Sequence, residues 1–502
     1  MTASKKTTSS SELLSTGIPG IDCILGGGLT RDRLYLIEGE PGTGKTTMSL
    51  QFLLEGAQAG ETVLYMTLSE TEAEIRAVAA SHGWSLDGVH IHEVIPSEKM
   101  LDPEEQYTIF HPSEVELSET TQKLIAAIEA LKPVRVVLDS LSELQLLAVN
   151  ALRYRRQVMA FKQFFSRRAC TVVFLDDRTA GEKDLEVRSI AHGVISLDQT
   201  LSNYGATRRH VRVIKYRGMA FREGLHDYVI RRGGLIAYPR LIASESRMMN
   251  KPSRFPSGVA QLDTLLGGGI EESTSTFVVG PPGAGKSSLA AQFVMSAIQQ
   301  GQSAAMFIFE ESISNLLNRC DGLGMDLRSP FESNQLSIQQ VDPAELTPGE
   351  YADTVCRAAD AGAKVIVIDS LNGYLNAMPD EQFLTTHLHE LLSYLGQRGV
   401  VTLLVGVQQG MLGPNMTSTA NISYLADNVI MLRYFEVRGE VLQAISVFKK
   451  RGGKHERTIR QFCMSEHGIQ VGPVLREFHG ILSGIPAILD HAAPEVGSSS
   501  ID

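Results

Sequence analysis

Two segments of the chain carry the residues of a phosphate-binding loop. Residues 39–46 read GEPGTGKT and residues 280–287 read GPPGAGKS. Both satisfy G-x-x-x-x-G-K-[ST], after an apolar run and before a helical pattern. The glycines let backbone N–H groups turn toward phosphate oxygens, and the following helix adds its positive N-terminal end. Lys45 and Lys286 are the expected partners of the β- and γ-phosphates of ATP, and the Thr46 and Ser287 hydroxyls the expected ligands of Mg²⁺. Gly42, Thr43, Gly44 and Thr47 complete the predicted ATP-binding surface of the first loop. Gly283, Ala284, Gly285 and Ser288 do so for the second.

A magnesium nucleotide also needs carboxylates. RVVLDSL (135–141) and VIVIDSL (365–371) each end a hydrophobic run on an aspartate, Asp139 and Asp369, the predicted metal carboxylates. Hydrolysis or transfer further requires a carboxylate that orients or deprotonates the nucleophile. FIFEES (307–312) supplies Glu310 and Glu311, and the aligned MTLSET (66–71) supplies Ser69 and Glu70. Glu70, Glu310 and Glu311 are therefore the catalytic candidates, with Glu310 also a candidate metal ligand.

These groups recur because the chain is one unit written twice. TGIPGIDCILGGGL matches SGVAQLDTLLGGGI, and Gly26/Gly267, Lys45/Lys286 and Glu70/Glu311 share one offset of 241 residues. Asp139/Asp369 fall at 230, so the second copy has a net deletion after Glu311. A repeat this long means two homologous domains, not a solenoid. The expected organisation is a tail over 1–11, a first domain over 12–243, a linker over 244–254, a second domain over 255–486 and a tail over 487–502. In the first copy, residues 34–38, 63–67, 134–138 and 171–175 read as buried strands, with helices over 46–59 and 117–131. Alternation of helices with near-continuous apolar strands predicts an α/β fold: two tandem P-loop domains, each a mostly parallel sheet with helices on both faces.

Composition bounds the rest. With 502 residues, 43% hydrophobic and 21% charged, the chain can bury large cores, which excludes low-complexity disorder and collagen. Its apolar runs are far shorter than the ~20 residues of a membrane span, and the N-terminus lacks the apolar segment of a secretory signal. Five scattered cysteines with no CxxC pair fit free thiols in a reducing cytoplasm. A net charge of −11 argues against nucleic acid as a partner.

With the duplicated LGGG segment, paired phosphate loops, FEES, and the segments IKYRG (214–218) and FKKRG (448–452), the chain resembles the KaiC family of tandem RecA-like ATPases. QYTIFHPSEVEL (106–117) is also similar to that family's first domain, and the resemblance covers residues 12–486. It implies a homohexamer of two stacked rings with ATP at each subunit boundary. By the same resemblance, Lys215, Tyr216 and Arg217, and Lys449, Lys450 and Arg451, belong to the ATP site across that boundary. The sequence shows no obvious acceptor for these cations within their own copy. The resemblance further implies autokinase activity in the second ring. Its acceptor pair falls on Ser423 and Tyr424 in ANISYLADN, where tyrosine replaces the family's threonine. Ser423 is the expected principal site, because a tyrosine hydroxyl lies about 4 Å farther from its Cα. Thr417, Ser418 and Thr419 are fallbacks on the same polar stretch.

Ser69 departs from the family pattern of two glutamates, so hydrolysis in the first ring is expected to be slow or to rest on Glu70 alone. The stretch after Gly484 is short and acidic, so docking of a KaiA-type activator there is not expected, whereas a KaiB-type partner on the first ring stays open. Two other readings share the phosphate loop: a RecA- or RadA-like DNA-dependent ATPase, and a nucleotide-bound scaffold with little turnover.

Overall fold

A computed structural model describes residues 13–94, 112–148, 150–178, 185–201, 205–242, 253–342, 344–376, 383–408, 425–481 and 487–488. The chain divides into two compact units, Met1–Arg240 and Leu241–Asp502. Arg254 already pairs with Glu271 in a small hairpin of the second unit, and Ala487–Ile488 pairs with Phe478–His479.

In the first unit nine described strands form one sheet. Its order is Gly234–Tyr238, His226–Arg231, Arg208–Tyr216, Gly193–Thr200, Leu34–Gly39, Thr171–Asp177, Arg135–Asp139, Val63–Thr67, Val89–Glu93. The strands from Gly193–Thr200 to Val89–Glu93 run parallel, and the other three add antiparallel hairpins. Side-chain alternation splits each central strand between two cores. Tyr35, Ile37, Val137 and Val173 face the helix Lys45–Gln58 through Met48, Phe52 and Leu53. Leu36, Val136, Leu138 and Phe174 face the other way, onto Leu124 and Ile128 of Pro112–Leu131 and Val158 and Phe161 of Ala151–Ser166. Helices thus cover both faces, as the apolar runs predict.

The second unit repeats this plan. Its order is Leu336–Gln340, Ser303–Ile308, Ala363–Asp369, Val401–Val407, Ser275–Gly280, Asn428–Val437, Glu440–Lys450, Arg460–Ser465, Gly468–Val474. Val278, Met306, Val367 and Val405 pack on Lys286–Gln299, and Phe277, Phe307, Ile368 and Leu404 on Pro348–Asp360 and Leu384–Gln397. Thr347 caps the helix Pro348–Asp360 by accepting from the Glu350 N–H.

Strand register assembles the candidate sites. Thr67 lies beside Asp139 and Gly39 beside Asp177, while Ile308 lies beside Asp369 and Gly280 beside Val407. Each phosphate loop therefore opens at the strand ends that carry the expected carboxylates. Among the described residues no helix is long and apolar enough to cross a membrane.

Candidate functional site

Both loops turn through glycines held in left-handed backbone. Gly44 has φ +94° and Gly285 φ +90°, each the residue just before its helix. A Cβ at Gly44 would meet Ile230 Cδ1 at 2.5 Å, and one at Gly285 would meet Met464 Sδ at 2.7 Å. These side-chain ends could give way, so it is the left-handed backbone that calls for glycine at both places.

The Lys45 ammonium is buried under its loop. It donates to the Gly39 and Glu40 carbonyls (2.8 and 3.0 Å) and pairs with Asp177 Oδ1 at 2.7 Å. Lys286 is equally enclosed and donates to the Pro281 carbonyl at 2.7 Å; burial holds its pKa below the ordinary lysine value, against the pull of Asp369 and Glu310. Thr46 Oγ1 donates to Asp139 Oδ2 at 3.3 Å, and Ser287 hydrogen-bonds Asp369 in the same way. Both aspartates are pushed above the usual carboxylate range, chiefly by burial, with neighbouring carboxylates adding to it. A hydroxyl and a buried carboxylate crowded by further carboxylates are oxygen donors in want of a hard cation, and Mg²⁺ fits this set. Among the described residues no three His, Cys, Asp or Glu side chains form a metal cage by themselves. Magnesium ordinarily takes only one or two protein carboxylates and fills its shell with phosphate oxygens and water.

The catalytic candidates part company in the structure. Glu310 is exposed at its strand end and accepts from Ser370 Oγ at 2.7 Å, next to Asp369. Glu311 is clasped by Arg319, with Nη2–Oε2 at 2.8 Å and Nε–Oε1 at 3.2 Å, and Arg319 Nη1 also donates to Ser288 Oγ at 2.8 Å. In the first copy Val78 stands at the place of Arg319, and Glu70 has no such guanidinium among the described residues. Its Oε2 is buried without a hydrogen-bond partner, and burial, then Asp139, Glu74 and Asp177, raise its pKa. Tyr65 donates to Asp139 Oδ2 at 2.5 Å, a contact that the second copy, with Met306 there, lacks.

The expected cations lie at the far end of each sheet from their own loop. Lys215 pairs with Val194, and the Arg217 N–H bonds the His192 carbonyl, level with the start of the loop strand. From there to Gly39 is about 16 Å along the strand, at ~3.3 Å per residue. The expectation that these cations lack acceptors in their own copy is overturned. Lys215 Nζ donates to the Arg188 and Ser189 carbonyls (2.6 and 3.2 Å), and Arg217 to Ser189 (2.7 Å). Lys449 donates to the Ala426 carbonyl at 2.7 Å and Arg451 pairs with Asp427 at 3.2 Å. For Lys215, Arg217 and Lys449 the acceptors are backbone carbonyls, those of the helix Leu185–Ile190 and of Ala426, which no residue type announces; for Arg451 the acceptor is a carboxylate.

Two of the six residues are turned inward. Tyr216 is buried, its hydroxyl donating to the Gly28 carbonyl at 2.9 Å. The Lys450 ammonium is fully buried against Glu271 and the Leu266 and Gly269 carbonyls. These two side chains tie their own domains together. Ser423, Tyr424 and Thr417, Ser418 and Thr419 fall outside the described residues. Sequence reasoning missed Asp177, Tyr65, Arg319 and Ser370. Comparison of the two copies position by position held the one usable signal, since Tyr65/Met306 and Asp177/Val407 differ where the loops agree.

The family model described as "ATPase: KaiC" matches residues 14–241 and again 255–476. The chain belongs to the KaiC ATPase family. The circadian clock oscillator protein KaiC of Synechococcus elongatus is 28% identical over 480 residues, covering 94% of this chain and 91% of that protein. The circadian clock protein KaiC3 of Synechocystis sp. is 26% identical over 483 residues, covering 95% and 94%. Both KaiC relatives are matched along nearly their whole length, so the duplicated plan is shared throughout.

Proposed function

We propose that the chain is a cytoplasmic ATPase that works as a homohexamer of two stacked rings, with autokinase activity in its second domain. The observation that supports it most is the repeated grouping of loop lysine, helix-start hydroxyl and buried strand-end aspartate (Lys45–Thr46–Asp139 and Lys286–Ser287–Asp369). In this reading loop N–H groups and the two lysines hold the β- and γ-phosphates. Magnesium would be held by Thr46 and Asp139, or Ser287 and Asp369, and when bound would neutralise charge on the transferring phosphoryl group. Glu310, unencumbered except for the Ser370 hydrogen bond, takes the nucleophile's proton in the second domain, and Glu70 does so in the first. Glu311 is neutralised by Arg319 and fixes the helix start beside Ser288 instead. Lys215 and Arg217, and Lys449 and Arg451, sit where a neighbouring subunit's phosphates could be met, which requires exchanging carbonyl partners for phosphate.

Ser423 is the proposed phosphate acceptor, with a KaiB-type partner for the first ring as part of the same reading. The test is incubation of the pure full-length chain with ATP and Mg²⁺, followed by light scattering and phosphosite mapping. A six-subunit assembly with phosphate on Ser423, removed by Ser423→Ala, supports the reading. Phosphate on Tyr424 refutes the acceptor assignment, and no incorporation at all makes the second domain an ATPase only. Turnover that rises on adding DNA would favour a RecA-like role instead.

A further inference from the structure

The two loops differ in what their lysine meets. In the first copy Asp177 ends the strand beside Gly39 and its carboxylate lies 2.7 Å from Lys45 Nζ. In the second copy the residue beside Gly280 is Val407, which offers no charge, and Lys286 makes no ion pair among the described residues. The two positions are otherwise anchored alike. The Asp177 N–H bonds the Ser142 hydroxyl at 3.1 Å and the Val407 N–H bonds Asn372 Oδ1 at 2.9 Å, so each is tied to the helix after its metal aspartate. The Asp177 carboxylate is about one-third exposed, at 34%, whereas Lys45 is nearly enclosed, at 8%. Solvent therefore reaches the carboxylate while the lysine stays enclosed. Asp177 also stands close enough to Glu70 and Asp139 to raise both of their pKa values, and Asp139 feels the same Lys45 ammonium.

We infer that Asp177 is a built-in counter-ion that a nucleotide must displace from Lys45, which lowers the affinity of the first site for ATP. The inference rests on the proposed ATPase reading. Before nucleotide enters, the Asp177 carboxylate stands in for a phosphate oxygen on the lysine. Nucleotide binding exchanges one anion for another at Lys45, and so gains less than binding to an unpaired lysine. The displaced carboxylate then remains beside the most highly charged end of the nucleotide, and the like charge costs further affinity. The pair is partly solvated, which limits its strength to the order of an exposed or half-exposed ion pair. Together with the like charge left behind, that corresponds to roughly three- to tenfold in dissociation constant, at 1.4 kcal/mol per tenfold. The cost is greater for ATP than for ADP, because the γ-phosphate adds charge at this end. Asp177 thus sets nucleotide preference.

The test uses full-length protein carrying Lys286→Ala, so that only the first site binds. Titration with Mg²⁺ and either a non-hydrolysable ATP analogue or ADP is compared with and without Asp177→Asn. Asparagine keeps the shape and removes the charge. The expected result is a three- to tenfold tighter ATP analogue and a smaller gain for ADP. The converse variant, Val407→Asp in protein carrying Lys45→Ala, should weaken the analogue by a similar factor at the second site. Unchanged or weaker binding in Asp177→Asn overturns the inference, as does an equal gain for both nucleotides. If the parent protein binds neither nucleotide at the first site while the fold is intact, the ATPase reading itself fails there.

Discussion

Replacing Glu310 by Gln, in protein whose first site is silenced by Lys45→Ala, separates two adjacent glutamates that the sequence treats alike. Glu310 is exposed and, among the described residues, bonded only by the Ser370 hydroxyl at 2.7 Å, a contact the amide oxygen of glutamine keeps. The substitution therefore removes a proton acceptor with little change in shape. Loss of a general base costs typically 10²- to 10⁴-fold, or about 2.7 to 5.4 kcal/mol of barrier at 1.36 kcal/mol per tenfold. Glu311→Gln instead breaks the clasp with Arg319, whose partners are each 30% exposed. Discounted for solvent screening, such a pair is worth about 1 kcal/mol or less of stability, and hydrolysis should change only severalfold. Phosphate release at saturating ATP measures the first quantity, and urea unfolding the second. Retention of more than a tenth of the rate in Glu310→Gln, or a hundredfold fall in Glu311→Gln, would refute the assignment of the base.

Other outcomes follow from particular contacts. Tyr65→Phe removes the hydroxyl that holds Asp139, and loss of such an orienting partner typically costs 10- to 100-fold in metal affinity. In a Lys286→Ala background the Mg²⁺ concentration for half-maximal turnover should rise about tenfold, and an unchanged midpoint would show that Thr46 and the buried site alone fix the carboxylate. Lys215→Ala with Arg217→Ala removes cations placed away from their own loop, so ring assembly with ATP, followed by light scattering, should fail while nucleotide binding by the monomer persists. Full assembly in that double variant would leave these cations as caps on the 188–189 carbonyls and nothing more.

The features legible in the sequence are those set by local demands. A loop that must turn its N–H groups inward needs glycine at positive φ, so both phosphate loops are visible residue by residue. A strand buried on both faces must be apolar throughout, so Asp139 and Asp369 stand out where such runs stop. What was hidden depends on register between strands distant in the sequence. Nothing local says that Asp177 will lie beside Gly39, or that Tyr65 will lie over Asp139. Arg319 reaching back to Glu311 depends on where its helix begins, which the Ser312 cap sets by accepting from the Asn315 N–H. The own-copy partners of Lys215 and Lys449 are backbone carbonyls, which every residue possesses and no motif marks. Tyr216 and Lys450 illustrate the strand period of two: alternate residues of a strand point into the domain.

The most direct test of the account is steady-state ATP turnover by the pure full-length chain with Mg²⁺, beside Lys45→Ala, Lys286→Ala and the double variant. The account predicts magnesium-dependent hydrolysis that each single variant lowers in part and the double variant abolishes. Hydrolysis that survives intact in the double variant, or is absent from the unaltered chain, would contradict it.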